Sequence, residues 1–94
     1  MIEHTVMWKF LPGKEEQARR FLDALAALDG QIPEIRSMKI GVRIGEKNDA
    51  DAILTVTFDS LQALERYKND PRHVAVSAMC REIRAARYAI DCEK

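Results

Sequence analysis

Charge of one sign is the first thing missing from this chain. Its 15 basic and 15 acidic side chains cancel, so no net field draws it to nucleic acid or to an anionic membrane surface. Long apolar runs are missing as well. No stretch approaches the ~20 residues of a membrane-spanning helix, and the opening Met1-Ile2-Glu3-His4 has neither the basic nor the apolar region of a signal peptide. A cytoplasmic location is therefore expected. Cys80 and Cys92 form no Cys-x-x-Cys pair and read as reduced, packed thiols. The two histidines, His4 and His73, fall in no His-x-x-x-His or His-x-Glu spacing, so the chain shows no local ligand set for a metal. A Gly-rich phosphate loop, a Gly-x-Ser-x-Gly elbow and a cysteine nucleophile beside a base are absent too. The residues imply neither a metal nor an organic cofactor.

What is present describes a scaffold. Charged residues make up 32% and apolar ones 47% of 94 residues, the composition of one soluble globular domain spanning 1–94. Ile2, His4, Val6, Trp8 and Phe10 alternate with Glu3, Thr5, Met7 and Lys9, the period of a strand with one buried face, and Trp8 reads as core. Pro12-Gly13 ends it. From Lys14 the spacing turns helical, with Ala18, Phe21, Leu22, Leu25 and Leu28 on one stripe, and Asp29-Gly30 predicts the stop. Met38, Ile40, Val42 and Ile44 alternate in a second strand, where Gly41 marks a bulge or a close approach. The polar run 45–51 predicts an exposed hairpin connection into a third strand, Ala52 to Phe58.

Asp59 or Ser60 is placed to cap the next helix, whose apolar face carries Leu61, Leu64 and Tyr67. Asp70-Pro71 breaks that helix and starts another, with Asp70 as N-cap and Pro71 in the first turn, where its missing N–H costs nothing. In it His73, Val76, Met79 or Cys80, and Ile83 share a stripe. Arg81, Arg84 and Arg87, three apart, read as a solvated helix face. Arg87 to Cys92 forms a fourth strand with Tyr88, Ile90 and Cys92 on one side. Strand, helix, two strands, a helix pair and a strand define an α+β, ferredoxin-like, four-stranded antiparallel sheet with helices on one face. The other face, carrying Thr5, Met7, Ile53, Thr55 and Thr57, is left bare, and pairing two sheets in a two-fold homodimer would cover it.

Three segments carry a resemblance: Ile2-Glu3-His4-Thr5-Val6-Met7-Trp8-Lys9-Phe10, the Ile32-Pro33-Glu34-Ile35-Arg36-Ser37 turn, and Phe58 through Tyr67 into Asp70-Pro71-Arg72-His73. In order and without large gaps they resemble the stress-responsive dimeric A/B barrel family. The resemblance implies a ferredoxin-like protomer and a homodimer whose sheets close into an α/β barrel. It extends in part to a polyketide cyclase branch that closes a ring by aldol condensation without a cofactor. The Tyr-x-x-x-Pro-x-His segment of that branch is matched by Tyr67 and His73, and its strand histidine by His4. The histidine that precedes the proline in that branch is Asp70 here, and a third-strand histidine is replaced by Ala52.

Two readings of Tyr67, His73 and His4 stand beside each other. In the first the three are packed or ligand-contacting groups of a homodimeric binding protein, whose pocket between sheet and helices takes a small apolar or aromatic ligand. In the second they are the catalytic residues of a cofactor-free lyase, cyclase or isomerase acting on a β-keto or polyketide-like substrate. His73, kept neutral by the positive end of its helix, would remove a proton, while Tyr67 stabilises the developing oxyanion and His4 orients the substrate or accepts from Tyr67.

Overall fold

The computed structural model describes residues 1–94, and its elements run β1 (Ile2–Phe10), α1 (Glu15–Ala26), β2 (Ser37–Val42), β3 (Ala52–Phe58), α2 (Leu61–Asn69), α3 (Pro71–Arg81) and β4 (Arg84–Glu93). All strand pairs are antiparallel, in the order β2-β3-β1-β4. The two strands richest in inward apolar residues, β1 and β3, hold the centre, and the helices cover one face. This is the ferredoxin-like α+β arrangement expected from the element order.

Local chemistry explains most boundaries. α1 opens on Glu15 and Glu16, whose charges complement the positive end of the helix, and buries Ala18, Phe21 and Leu25. It ends at Ala26, a turn before Gly30, because Leu28 and Ile32 drop into the core through successive turn hydrogen bonds. Gly30 takes φ +93° within that connection. Ser60, not Asp59, caps α2: its Oγ accepts from the Ala63 N–H at 3.1 Å, while Asp59 pairs with Arg36 at 3.1 Å. Asp70 caps α3 by accepting from the Arg72 N–H at 2.9 Å, with Pro71 first in the helix.

Two expectations are corrected and one open alternative is resolved. Ile44 is not in β2; it is 94% exposed, because β3 begins at Ala52 opposite Val42 and offers no partner further on. Instead the Arg43 N–H donates to the Asp51 carbonyl, and the Arg43 guanidinium reaches the Asp51 carboxylate at 2.9 Å, closing the hairpin. Gly41 is a close approach and not a bulge. A Cβ there would lie 3.2 Å from Ile53 Cγ2, and the register irregularity falls on β1 at Lys9/Phe10. Finally, β4 starts at Arg84. Ile83 is pulled into the core, and its carbonyl accepts from the Leu11 N–H at 2.8 Å, so α3 stops before Arg84 and Arg87. Arg81 alone remains on the helix.

The two sides of the sheet differ in kind. Facing the helices, Val6, Trp8, Leu54, Val56 and Phe58 are buried, and Trp8 meets Phe21 edge-on at 5.2 Å between ring centres. On the uncovered side, register places Met7 between Ile53 and Tyr88, and Thr5 between Thr55 and Ile90. Met7, Ile53, Tyr88 and Ile90 are 40%, 41%, 64% and 60% exposed, a contiguous apolar patch. No helix of the structure is long and apolar enough to cross a membrane.

Candidate functional site

The three residues singled out in the sequence meet at one end of the helix-covered face. His4 alternates onto that side of β1 together with Val6 and Trp8 and is 4% exposed. Its registered neighbour on β4 is Asp91, whose Oδ1 lies 2.5 Å from His4 Nδ1; the other carboxylate oxygen lies 3.4 Å from Lys68 Nζ. Tyr67, in the last turn of α2, is fully buried, with its ring centre 4.3 Å from that of His73, 6.3 Å from His4 and 5.0 Å from Phe58. His73 reaches this neighbourhood because Asp70 is extended (φ −63°, ψ 130°) and turns α3 back beside α2. Its Nδ1 lies 3.3 Å from the Lys68 carbonyl.

These contacts set the tautomers. A neutral imidazole whose Nδ1 faces a carboxylate or a carbonyl carries its proton on that nitrogen, which leaves Nε2 as an acceptor. Both imidazoles favour the neutral form more strongly than a free histidine does. Burial pushes the His4 pKa below its ordinary value against the upward pull of Asp91, and burial lowers His73 likewise, helped by the His4 and Arg87 charges. Burial pushes Asp91 up, but the His4 hydrogen bond, the charge of that ring and Lys68 together hold it below the ordinary carboxylate value. Burial drives the Tyr67 phenol up to about 12, with Arg87 pulling slightly the other way, so it is a donor and not a phenolate. Its hydroxyl is buried and has no hydrogen-bond partner.

A cavity of about 20 Å³ lies among these side chains, room for about one water-sized group. Val6, Trp8 and Leu54 line it, whereas Phe58, Val76 and Ile83 do not. Ser77, Cys80, Arg84 and Arg87 also line it and were not read from the sequence as one site. The signal was present in part: Ser77 and Cys80 follow His73 at i+4 and i+7, and Arg87 shares a strand face with Asp91. Burial raises the Cys80 thiol pKa, with Arg84 opposing, so it is no ready nucleophile. No group of three or more His, Cys, Asp or Glu side chains is gathered to hold a metal ion. A wider groove of about 910 Å³ between α1 and β2 includes none of His4, Tyr67 or His73.

A four-stranded antiparallel sheet with helices on one face, enclosing a polar pocket near the sheet edge, defines a ferredoxin-like α+β domain. The chain belongs to the stress responsive A/B barrel domain family, which it matches over residues 2–94. An uncharacterised protein of Streptomyces coelicolor is 34% identical over 86 residues, covering 87% of this chain and 89% of that protein. Among solved structures, a dimeric ferredoxin-like protein of unknown function from Bacteroides fragilis superposes with a TM-score of 0.90 at 26% identity, covering 99% of this chain and 95% of that one. The hydroxynitrile lyase of Passiflora edulis shares the fold, with a TM-score of 0.85 at 14% identity over 97% of this chain and 90% of that one.

Proposed function

We propose that this is a homodimeric A/B barrel protein that binds a small molecule in the pocket between sheet and helices, with Tyr67, His73 and His4 contacting an oxygen group on an otherwise apolar or aromatic ligand. The unpartnered Tyr67 hydroxyl carries the reading. A buried donor left without an acceptor costs about 1–3 kcal/mol, a cost that an arriving oxygen atom removes. The Nε2 acceptors of His73 and His4, whose ring centres lie 4.3 and 6.3 Å from that of Tyr67, complement a hydroxyl or an acidic C–H on the same ligand. Dimerisation is supported by the apolar patch of Met7, Ile53, Tyr88 and Ile90 on the uncovered sheet face and by the dimeric Bacteroides fragilis neighbour. Because the cavity admits about one oxygen-sized group, it takes the oxygen of the ligand and leaves the body outside.

A second reading, cofactor-free lyase, cyclase or isomerase chemistry, is favoured by the chain Lys68–Asp91–His4 and by the orientation it imposes. In that reading His73 Nε2 takes a proton from the carbon next to a carbonyl, and the C–H electron pair moves into an enolate. Tyr67 donates to the enolate oxygen. The hydroxynitrile lyase with the same fold supports the scaffold for such chemistry and leaves the reaction to be found by assay.

The test is a thermal-shift screen of aromatic and polyketide-like acids and ketones. Binding at a hundredfold over Kd adds about 2.7 kcal/mol, so a true ligand raises the melting temperature of the wild type by at least several degrees. It should raise that of His73→Ala and Tyr67→Phe little or not at all. A screen without a hit, or hits unaffected by both substitutions, refutes the assignment.

A further inference from the structure

Two of the residues that line the cavity are arginines, and neither has a carboxylate partner. Of the nine arginines in the chain, Arg19, Arg20, Arg36, Arg43, Arg66 and Arg72 pair with carboxylates. Arg81, Arg84 and Arg87 pair with none; the last two line the cavity, and no acidic side chain does. Asp91 is unavailable to them, since one of its oxygens is held by His4 and the other by Lys68. Arg87 is exposed and Arg84 half-buried, so both stand at the rim and not inside.

From this we infer that the site binds an organic anion, a carbonyl compound carrying a carboxylate on a neighbouring carbon, with its carbonyl oxygen in the cavity against the Tyr67 hydroxyl and its carboxylate held outside by Arg87 and Arg84. The division follows from size and charge together. The cavity of about 20 Å³ accepts one oxygen and excludes a carboxylate, while a planar guanidinium at the rim matches a carboxylate with two parallel donors. The field of Arg87 reaches across the cavity, since it lowers the pKa of Tyr67, His4 and His73 alike. A carboxylate at the rim would neutralise that field. This inference rests on the reading of the cavity as a ligand site and names the charge of what enters.

Benzoylformate and its methyl ester test it, because they share the aromatic ketone and differ in charge. Titration calorimetry at low salt is expected to show the acid binding at least about tenfold more tightly than the ester, the usual gain from a charge-assisted pair. Arg87→Gln should reduce that advantage to less than about threefold, with Arg81→Gln, on the solvent side of α3, leaving it unchanged. Where Arg87→Gln fails to fold, Arg84→Gln and the loss of the acid's advantage at high salt carry the same comparison. Equal affinities for acid and ester, unchanged by Arg87→Gln, overturn the anion inference while leaving the pocket intact. Failure of both probes to bind, or binding indifferent to Tyr67→Phe, overturns the pocket and this inference with it.

Discussion

Replacing Tyr67 by phenylalanine should make the protein more stable and less able to bind. The ring of Tyr67 is fully buried and packs against His73, Phe58 and His4. Phenylalanine keeps every one of those contacts and loses only the hydroxyl. Ordinarily that deletion costs about 1 kcal/mol for a lost hydrogen bond, but this hydroxyl has no partner to lose. Its removal instead relieves a desolvation cost of about 1–3 kcal/mol. A single water in the adjoining cavity of about 20 Å³ would return part of this, so the expected net gain is about 0.5–1.5 kcal/mol. For a domain of this size each kcal/mol moves the melting temperature by ~4–8 °C, so Tyr67→Phe should melt several degrees above the wild type. Urea unfolding should give a higher midpoint at an unchanged slope. Ligand affinity should fall at the same time, the usual opposition of stability and function. A variant destabilised by more than about 1 kcal/mol would show that the hydroxyl is satisfied in solution, and the argument for a waiting donor would fail.

Two further expectations concern assembly and acid. Ile53→Glu and Ile90→Glu each place a charge in the apolar patch on the uncovered sheet face, and an unpaired charge buried in a dimer seam costs several kcal/mol, on the order of 3–5. Sedimentation at micromolar concentration should show the wild type as a dimer and both variants as monomers; dimers throughout would place the interface elsewhere. With His4 and His73 both lowered below 6.5 in the folded state, the unfolded chain binds more protons as pH falls. Their contribution to stability is therefore complete above about 6.5 and is lost as pH drops through the lower folded values. Urea midpoints should decline from pH 7.5 to pH 5, and His73→Gln should flatten the decline; a wild-type midpoint that rises over this range would reverse the sign of both shifts.

The sheet and both helix starts after β3 are legible because each rests on local chemistry: period-2 alternation in β1 and β3, and Asp70-Pro71 as cap and first residue of α3. The gathering of Tyr67, His73 and His4 follows from the same elements, since alternation puts His4 on the buried face of β1 and the Asp70 turn brings α3 beside α2. Arg84 and Arg87 were misread for a physical reason. Arg-Glu-Ile-Arg-Ala-Ala-Arg has no glycine or proline to stop a helix, and its three-residue spacing mimics one. The stop comes from Ile83 entering the core and meeting Leu11, a tertiary event. Asp91 was missed because its pairing with His4 depends on β1–β4 register, which turns and burial set and local composition does not. Ile44 shows the converse: a good alternation persists past the point where β3 supplies a partner.

Strand β1 is a wall one residue thick. Its even positions, His4, Val6 and Trp8, face the cavity, and its odd positions, Thr5 and Met7, face the uncovered side; on β4 the parity is reversed, with Arg87 and Asp91 on the side of their registered partners Trp8 and His4, and Tyr88 and Ile90 on the other. The cavity lining and the uncovered face are thus written on interleaved letters of the same two segments. Substitutions at one parity can retune what enters the cavity without disturbing the surface available to a second copy, and the reverse holds equally. An insertion or deletion of one residue in either strand would exchange the two surfaces beyond it, so these strands tolerate replacement of their letters far better than any change in their length.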